Sequence, residues 1–305
     1  MTAGPTDQES ATPHRSGSVA IVGRPNVGKS TLLNRLIGAK VSITSAKAQT
    51  TRHRIVGVLT QAGAQLAFLD TPGFQTRHVG ALNQVLNRTV RQVLSDADAV
   101  LLVIDACAGW TAADANVLSL IPADRAVILV LNKTDAAGEL TGLLPMVERI
   151  RHERDFAAIV PISAQRGTRI DALVSECVRC MPAGPALFDE DTITDRSERF
   201  LAAEALREKI FRLSGDELPY TTTVVIDEFD EQAHLRRIRA TILVEREAHR
   251  PILLGSGGER IKRIGSEARA DLERLFGVSV HLEVWVKVKG GWADTEQSLR
   301  AYGYE

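Results

Sequence analysis

The sequence predicts an α/β domain built on a doubly wound, mostly parallel sheet, followed by a smaller α+β domain. Three observations predict this. Short, nearly continuous apolar runs recur through the first 182 residues at intervals that leave room for helices, the pattern of a parallel sheet covered on both faces. A glycine-containing turn separates the first run from a helix-forming segment. Beyond residue 182 the alternation stops, and a later run, 280–289, alternates apolar and polar strictly, as a half-buried strand does. A chain of 305 residues accommodates two domains at about 150 residues each.

The elements follow in order. Residues 1–17 have no apolar core and read as a disordered tail. VAIVG (19–23) is the first strand, and KSTLLNRLIG (29–38) is a helix ended by Gly38. RIVGVL (54–59) is an added strand beside QLAFLD (65–70), and AVLLVID (99–105), AVILVLN (126–132) and AAIVPIS (157–163) complete the sheet. The first domain spans 18–182. Residues 183–197, Pro-containing and acidic, read as a linker. In the second domain, 198–305, helices are expected over 198–213 and 259–277 and strands over 221–230, 235–247 and 280–289. Ile261, Ile264, Ala268, Leu272 and Leu275 share one face of the second of these helices.

Composition excludes several classes. Hydrophobic residues make up 44%, enough for a core in each domain, and charged residues 25%, an ordinary globular share. Net charge is -1, from 37 Lys and Arg against 38 Asp and Glu, so nucleic-acid contact must come from a local patch. The longest apolar runs are about six residues, whereas a spanning helix needs about 20. Three cysteines form no disulfide framework, and a reducing, cytoplasmic setting is expected. Cys177 and Cys180 make a lone CxxC with no second pair, which reads as helix packing.

Gly23-Arg24-Pro25-Asn26-Val27-Gly28-Lys29-Ser30 has the spacing of a phosphate-binding loop, and it joins a strand to a helix as that motif requires. Its backbone N–H groups can close on phosphate oxygens at a helix N-terminus, which favours anions. Lys29 is suited to neutralise β- and γ-phosphates and Ser30 to bind Mg²⁺, with Thr31 beside them. Asp70-Thr71-Pro72-Gly73 ends a strand 40 residues after Ser30. There a carboxylate holds Mg²⁺ and the Gly73 N–H senses a γ-phosphate. In the polar segment 42–55, Thr50 and Thr51 are both candidates to close on metal and γ-phosphate, with Thr51 favoured. Asn132-Lys133-Thr134-Asp135 ends the next-to-last strand. Asp135 can accept hydrogens from N1 and the 2-amino group of guanine, which adenine cannot offer, so the expected ligands are GTP and GDP. Asn132 ties this loop to the phosphate loop, the Lys133 stem covers a base face, and Ser163-Ala164-Gln165 offers backbone N–H to guanine O6.

With these motifs in order, the chain resembles the Era family over residues 18–305. GRPNVGKSTLLN, KAQTTRHRIVG, DTPG, NK-x-D and PISA carry the likeness in the first half, and ITDRSERF, ILVERE, IKRIG and VHLEVWVKVK-x-GWAD in the second. The Der family resembles the first half but has two G domains. The resemblance implies a P-loop NTPase G domain followed by a type II KH domain, which binds single-stranded RNA through a GXXG loop. Here that loop is Gly255-Ser256-Gly257-Gly258, followed by Arg260, Lys262 and Arg263. Residues 249–263 hold four Lys or Arg against one acidic residue. Family members usually carry a basic residue inside the loop, which Ser256-Gly257 does not supply. The family's implied partner is the 3′ region of 16S ribosomal RNA, and its role is maturation of the small (30S) subunit. DNA is not expected.

The position after Gly73 is Phe74, whose ring cannot orient an attacking water as the Gln of many small GTPases does. Gln75 is one place further on. Asn26 is shared with relatives that use K⁺ in place of an arginine finger, and either holds K⁺ or only stabilises its loop. Two alternatives to an RNA-coupled GTPase are a binding switch with incidental hydrolysis and a GTPase peripheral to the inner face of the cell membrane. Trp285 and Trp292 read as core and edge packing, with Trp292 the candidate to stack a base, and His53 reads as a loop residue.

Overall fold

The protein is described by a computed structural model, covering residues 13–45, 47, 50–74, 81–137, 140–215 and 218–302. The first sheet contains β1 (Arg15–Val22), β2 (Ile55–Gln61), β3 (Ala64–Asp70), β4 (Ala99–Asp105), β5 (Ala126–Asn132) and β6 (Ala158–Pro161), in the order β2-β3-β1-β4-β5-β6. All neighbours are parallel except β2 and β3, so the doubly wound sheet carries one antiparallel edge strand. Helices α1 (Lys29–Ile37) and α5 (Ile170–Cys180) cover one face, and α2 (Ala81–Asp96), α3 (Ala112–Leu118) and α4 (Leu144–Ile150) the other. The strands are apolar throughout because both faces are buried: Val100, Leu101, Leu102, Val103 and Ile104 of β4 are all inaccessible. The strand order reverses at β1. Ligands of such sheets bind at that point, beyond the carboxyl ends of the strands.

Residues 15–17, expected as part of the tail, belong to the first strand. β1 begins at Arg15, and Arg15 to Ser18 pair with Ala64 to Ala67 of β3. Residues 1–12 lie outside the described residues. The 183–197 segment is a strap rather than a loose tether. Gly184 N donates to His14 O at 3.0 Å, and Val58 N to Ile193 O at 3.0 Å. The buried Gln65 carboxamide accepts from Leu187 N at 2.7 Å and Phe188 N at 2.8 Å.

The second sheet has the order β7-β8-β9, from β7 (Thr222–Gln232), β8 (Leu235–Val244) and β9 (Ser279–Val288), with β8 and β9 parallel. Helices α6 (Glu198–Leu213) and α8 (Glu259–Phe276) pack on it through Leu206, Ile210, Ile264, Ala268 and Leu272. Two short helices were not read from sequence: α7 (His249–Leu254), directly before the glycine loop, and α9 (Glu296–Ala301), which packs with Trp292 against α2. No helix among the described residues is long and apolar enough to cross a membrane.

Candidate GTPase and RNA-binding sites

The phosphate loop leaves β1 at Val22 and enters α1 at Lys29. Its glycines are required by close approach. A Cβ at Gly23 would lie 2.3 Å from Val103 O, and one at Gly28, where φ is +100°, would lie 2.3 Å from Asn132 Nδ2. Asn26 also takes a left-handed φ of 65° and lines the cavity above the loop with Lys29, Ser30, Thr31, Thr51 and Gly73. That cavity is about 340 Å³. Lys29 Nζ bridges the loop, donating to Gly23 O at 2.9 Å and Arg24 O at 3.0 Å. Burial pushes its ammonium down to about 8 against the pull of Asp70.

Asp70, at the end of β3, is inaccessible to solvent. Its Oδ2 accepts from Ser30 Oγ at 2.7 Å and Ser42 Oγ at 2.9 Å, with Thr51 Oγ1 at 3.5 Å. Ser30 Oγ and Thr51 Oγ1 are 2.8 Å apart. Asp70 Oδ1 is buried with no hydrogen-bond partner among the described residues. Burial pushes the carboxyl up, with Lys29 and the hydroxyls opposing. Hard oxygen donors around an orphaned carboxylate oxygen suit Mg²⁺. Thr50 is placed differently: its hydroxyl bonds Ser45 Oγ and Lys47 O, both at 2.8 Å. Three predicted site residues have structural side-chain roles. Thr71 Oγ1 donates to Ile21 O at 2.9 Å, Val27 is core, and Arg24 turns to the buried Asp114 at 3.2 Å. Pro25 packs against Gly73, and Pro72 is buried beside it.

The phosphate loop and the 163–165 loop are tied together through Asn132. Its Nδ2 donates to Val27 O at 2.8 Å, and its Oδ1 accepts from Ala164 N at 3.0 Å. Ser163 Oγ donates to Asp135 Oδ1 at 2.5 Å, and this bond is the largest influence holding the Asp135 carboxyl below its ordinary value. Lys133, at φ 67°, pairs with Asp105 at 2.7 Å. Arg35, absent from the sequence reading, braces Ala164 O at 3.1 Å and Gln165 O at 2.5 Å. Its signal was weak: one basic residue in the last turn of α1. Phe74 packs partly buried on the core, and Gln75 lies outside the described residues.

In the second domain, Gly255, Gly257 and Gly258 have φ values of 74°, 56° and 79°, and Gly258 caps α8. A groove of about 290 Å³ runs between α8 and the edge strand β9, lined by Ile261, Lys262, Gly265, Ser266, Arg269, Leu282 and Val284. Lys262 is therefore at the groove. Arg260 is not aimed there: its guanidinium donates to Ile252 O and joins α7 to α8. Arg263 is exposed and paired with Glu267 at 2.8 Å. Gly265, Ser266 and Arg269 went unread, although their spacing from Lys262 places them on the same helix face. The tryptophans exchange roles. Trp292 is buried, its Nε1 donating to Thr221 O at 3.2 Å, while Trp285 is 59% exposed. Cys177 is buried in α5 as packing.

Residues 18–133 match the family described as 50S ribosome-binding GTPase, and residues 217–293 match the KH domain. The GTPase Era of Bordetella petrii is 54% identical over 296 residues, covering 97% of this chain and 100% of the relative. The chain belongs to the Era family of GTPases. The GTPase Era of Nitrosomonas eutropha is 50% identical over 97% of the chain and 100% of the relative. A crystal structure of a point variant of Aquifex aeolicus Era bound to GDP·AlF₄⁻ superposes with a TM-score of 0.92 at 42% identity, covering 95% of this chain and 99% of that one. A crystal structure of Era with MgGDPNP and nucleotides 1506–1542 of 16S ribosomal RNA superposes with a TM-score of 0.91 over the same shares, also at 42% identity.

In this Era-family GTPase α6, α8 and the segment from Ser214 to Thr222 contact described residues between Lys40 and His53. Lys40 pairs with Glu208 at 2.5 Å and Asp271 at 2.7 Å. Glu208, fully buried, also accepts from Thr44 N at 3.0 Å. Lys47 Nζ donates to Ser214 O at 2.6 Å, and Arg52 to Thr222 O at 3.0 Å. His53 packs edge-on against Phe200, its ring centroid 5.2 Å away. Burial pushes its imidazole down to about 4, with Glu204 opposing and Arg207, Arg196 and Arg52 reinforcing.

Proposed function

We propose that this Era-family GTPase hydrolyses GTP with Mg²⁺ and binds the 3′ region of 16S ribosomal RNA through the groove between α8 and β9, acting in rRNA processing and 30S assembly in the cytoplasm. The carrying observation is the likeness, 42% identical over 95% of the chain, to an Era that was solved with both MgGDPNP and nucleotides 1506–1542 of that RNA. Ser30, Thr51 and Asp70 are the residues offered to the metal. When bound, Mg²⁺ neutralises charge on the β- and γ-phosphates. Lys29 spans the loop where those phosphates lie, and the Gly73 N–H meets the γ-phosphate. Asp135 accepts from guanine N1 and its 2-amino group, supported by Ser163. The reaction is water attack on the γ-phosphate, assisted by positioning and charge rather than a side-chain nucleophile.

Phe74 supplies no hydrogen bond to the attacking water, so charge stabilisation falls to the phosphate loop. Asn26, lining the phosphate cavity, is the residue offered to K⁺. Turnover that is unchanged when Na⁺ replaces K⁺ removes that role.

The basic residues of α8 are interleaved with acids: Arg263 pairs with Glu267, Arg269 with Glu273 and Arg274 with Asp271. The groove rather than a charged helix face is therefore the contact surface. The test is fluorescence anisotropy with an RNA matching the 3′ end of 16S rRNA and a scrambled control. Selective binding that Lys262→Ala weakens supports the assignment. Equal binding of both RNAs contradicts it.

A further inference from the structure

The helix that opens the KH domain places an unusual set of charges in the interior. Glu204, Arg207, Glu208 and Lys209 of α6 are each no more than 4% exposed. Arg207 and Glu208 reach the loop that leads from α1 to Thr51, at Thr50 O and at Lys40 and Thr44, while Glu204 pairs with Arg207 and Lys209 with Asp271 of α8.

Within this set, Arg207 makes a forked pair with Glu204: Nε to Oε1 at 2.7 Å and Nη2 to Oε2 at 2.7 Å. Burial raises the Glu204 carboxyl, but Arg207, with His53 and Arg52, outweighs this and holds it below its ordinary value. The same Nη2 donates to the Thr50 carbonyl at 2.5 Å. That carbonyl belongs to the peptide whose nitrogen is Thr51's. Thr51 Oγ1 in turn lies 2.8 Å from Ser30 Oγ and 3.5 Å from Asp70 Oδ2. A rigid, bidentate guanidinium thus holds one end of a peptide whose next side chain sits at the metal-binding oxygens. The Thr50 hydroxyl is occupied by Ser45 and Lys47, so it does not compete for the metal position.

We propose that Arg207 is a positioning residue of the GTPase site: a KH-domain guanidinium, oriented by Glu204, that sets the place of Thr51 and makes turnover depend on how the KH domain is docked. This rests on the reading of Thr51 as a ligand of Mg²⁺. The neighbouring contacts extend the link to the RNA groove. Asp271, which pairs with Lys40 and Lys209, lies on α8, the helix that also carries Lys262, Gly265 and Arg269. A shift of α8 on binding RNA is therefore felt by the loop that carries Thr51.

The test uses the full chain. Removing Arg207 alone leaves a buried carboxylate, which is strongly destabilising. The primary variant is therefore the pair Glu204→Gln with Arg207→Met, and Arg207→Lys, which keeps the charge but not the fork, is the conservative partner. Thermal melting identifies folded variants. The double variant is expected to lower kcat about tenfold, the size of a single coupling of this kind, with KM and GDP affinity little changed. Arg207→Lys recovers part of the loss and keeps the proposal testable if the pair does not fold. In nucleotide-free protein, amide exchange at residues 50–52 is expected to rise in both variants. In a Thr51→Ala background the Arg207 variants should cost nothing further. Wild-type turnover in folded Arg207 variants, with Thr51→Ala slow, overturns the positioning role. So does a loss that simply adds to that of Thr51→Ala. Wild-type turnover in Thr51→Ala overturns the ligand reading itself, and the proposal with it.

Discussion

Asn132→Ala separates a structural nucleotide site from a collection of adjacent motifs. The Asn132 carboxamide is 2% exposed and makes two bonds at once, to Val27 O at 2.8 Å and from Ala164 N at 3.0 Å. Val27 and Ala164 are themselves buried. Truncation therefore weakens the satisfaction of two buried backbone groups, at about 1–3 kcal/mol each. The expected loss is about 2–6 kcal/mol, a large part of a typical domain's 5–15 kcal/mol. Urea unfolding followed by circular dichroism measures it. Asn116→Ala, exposed on α3, is the control and should stay within about 0.5 kcal/mol of the parent. The same truncation frees the loop carrying Asp135 from the phosphate loop. GDP binding, read with a fluorescent analogue, should weaken at least about tenfold, equivalent to 1.4 kcal/mol. An Asn132→Ala protein within about 0.5 kcal/mol of the parent, with unchanged GDP affinity, would refute the claim that this side chain holds the two loops together.

Two further outcomes follow from the same geometry. His53 titrates at about 4 when packed against Phe200 and near 6.5 when unfolded, so it is neutral in the folded protein while the unfolded chain takes up a proton. Its contribution is fully present above about pH 6.5 and is lost as pH falls toward 4, at most about 3 kcal/mol. His53→Gln should flatten that part of the stability–pH curve, and an unchanged difference between pH 7 and pH 4.5 contradicts the burial argument. Ser256 is exposed in the glycine loop and carries no charge toward a phosphate. Ser256→Lys should tighten RNA binding and steepen the salt dependence by about 0.7 in log–log slope, one additional phosphate contact; an unchanged slope places the loop away from the RNA backbone.

The parts of this molecule legible in its sequence are those whose physics is local. A buried parallel strand must be apolar, so β4 and β5 read directly from 99–105 and 126–132. A phosphate loop must combine glycines with a helix start, so Gly23, Gly28 and Lys29 read together. The strict alternation of 280–289 marks a strand with one covered face. What did not read depends on distant partners. The polar residues 15–17 look like tail but gain a strand's hydrogen bonds from β3. Arg260 looks like a phosphate ligand by spacing, yet a carbonyl of α7 takes its guanidinium. Arg207 and Glu208 look like a solvated helix face; they are buried because Thr50, Lys40 and Thr44 of the other domain supply their partners, and Glu204 is buried as the partner of Arg207. Trp292, in a polar C-terminal stretch, is buried because α2 and α9 pack on it and Thr221 accepts from its indole.

The measurement that bears most directly on the account is GTP turnover in K⁺ and Mg²⁺, with RNA matching the 3′ end of 16S rRNA and with a scrambled RNA of equal length. The account predicts that only the matching RNA changes the turnover rate, because the helix lining the RNA groove also pairs with the loop leading to Thr51. Equal rates with matching RNA, scrambled RNA and no RNA, in a protein that binds the matching RNA, would contradict coupling between the two sites.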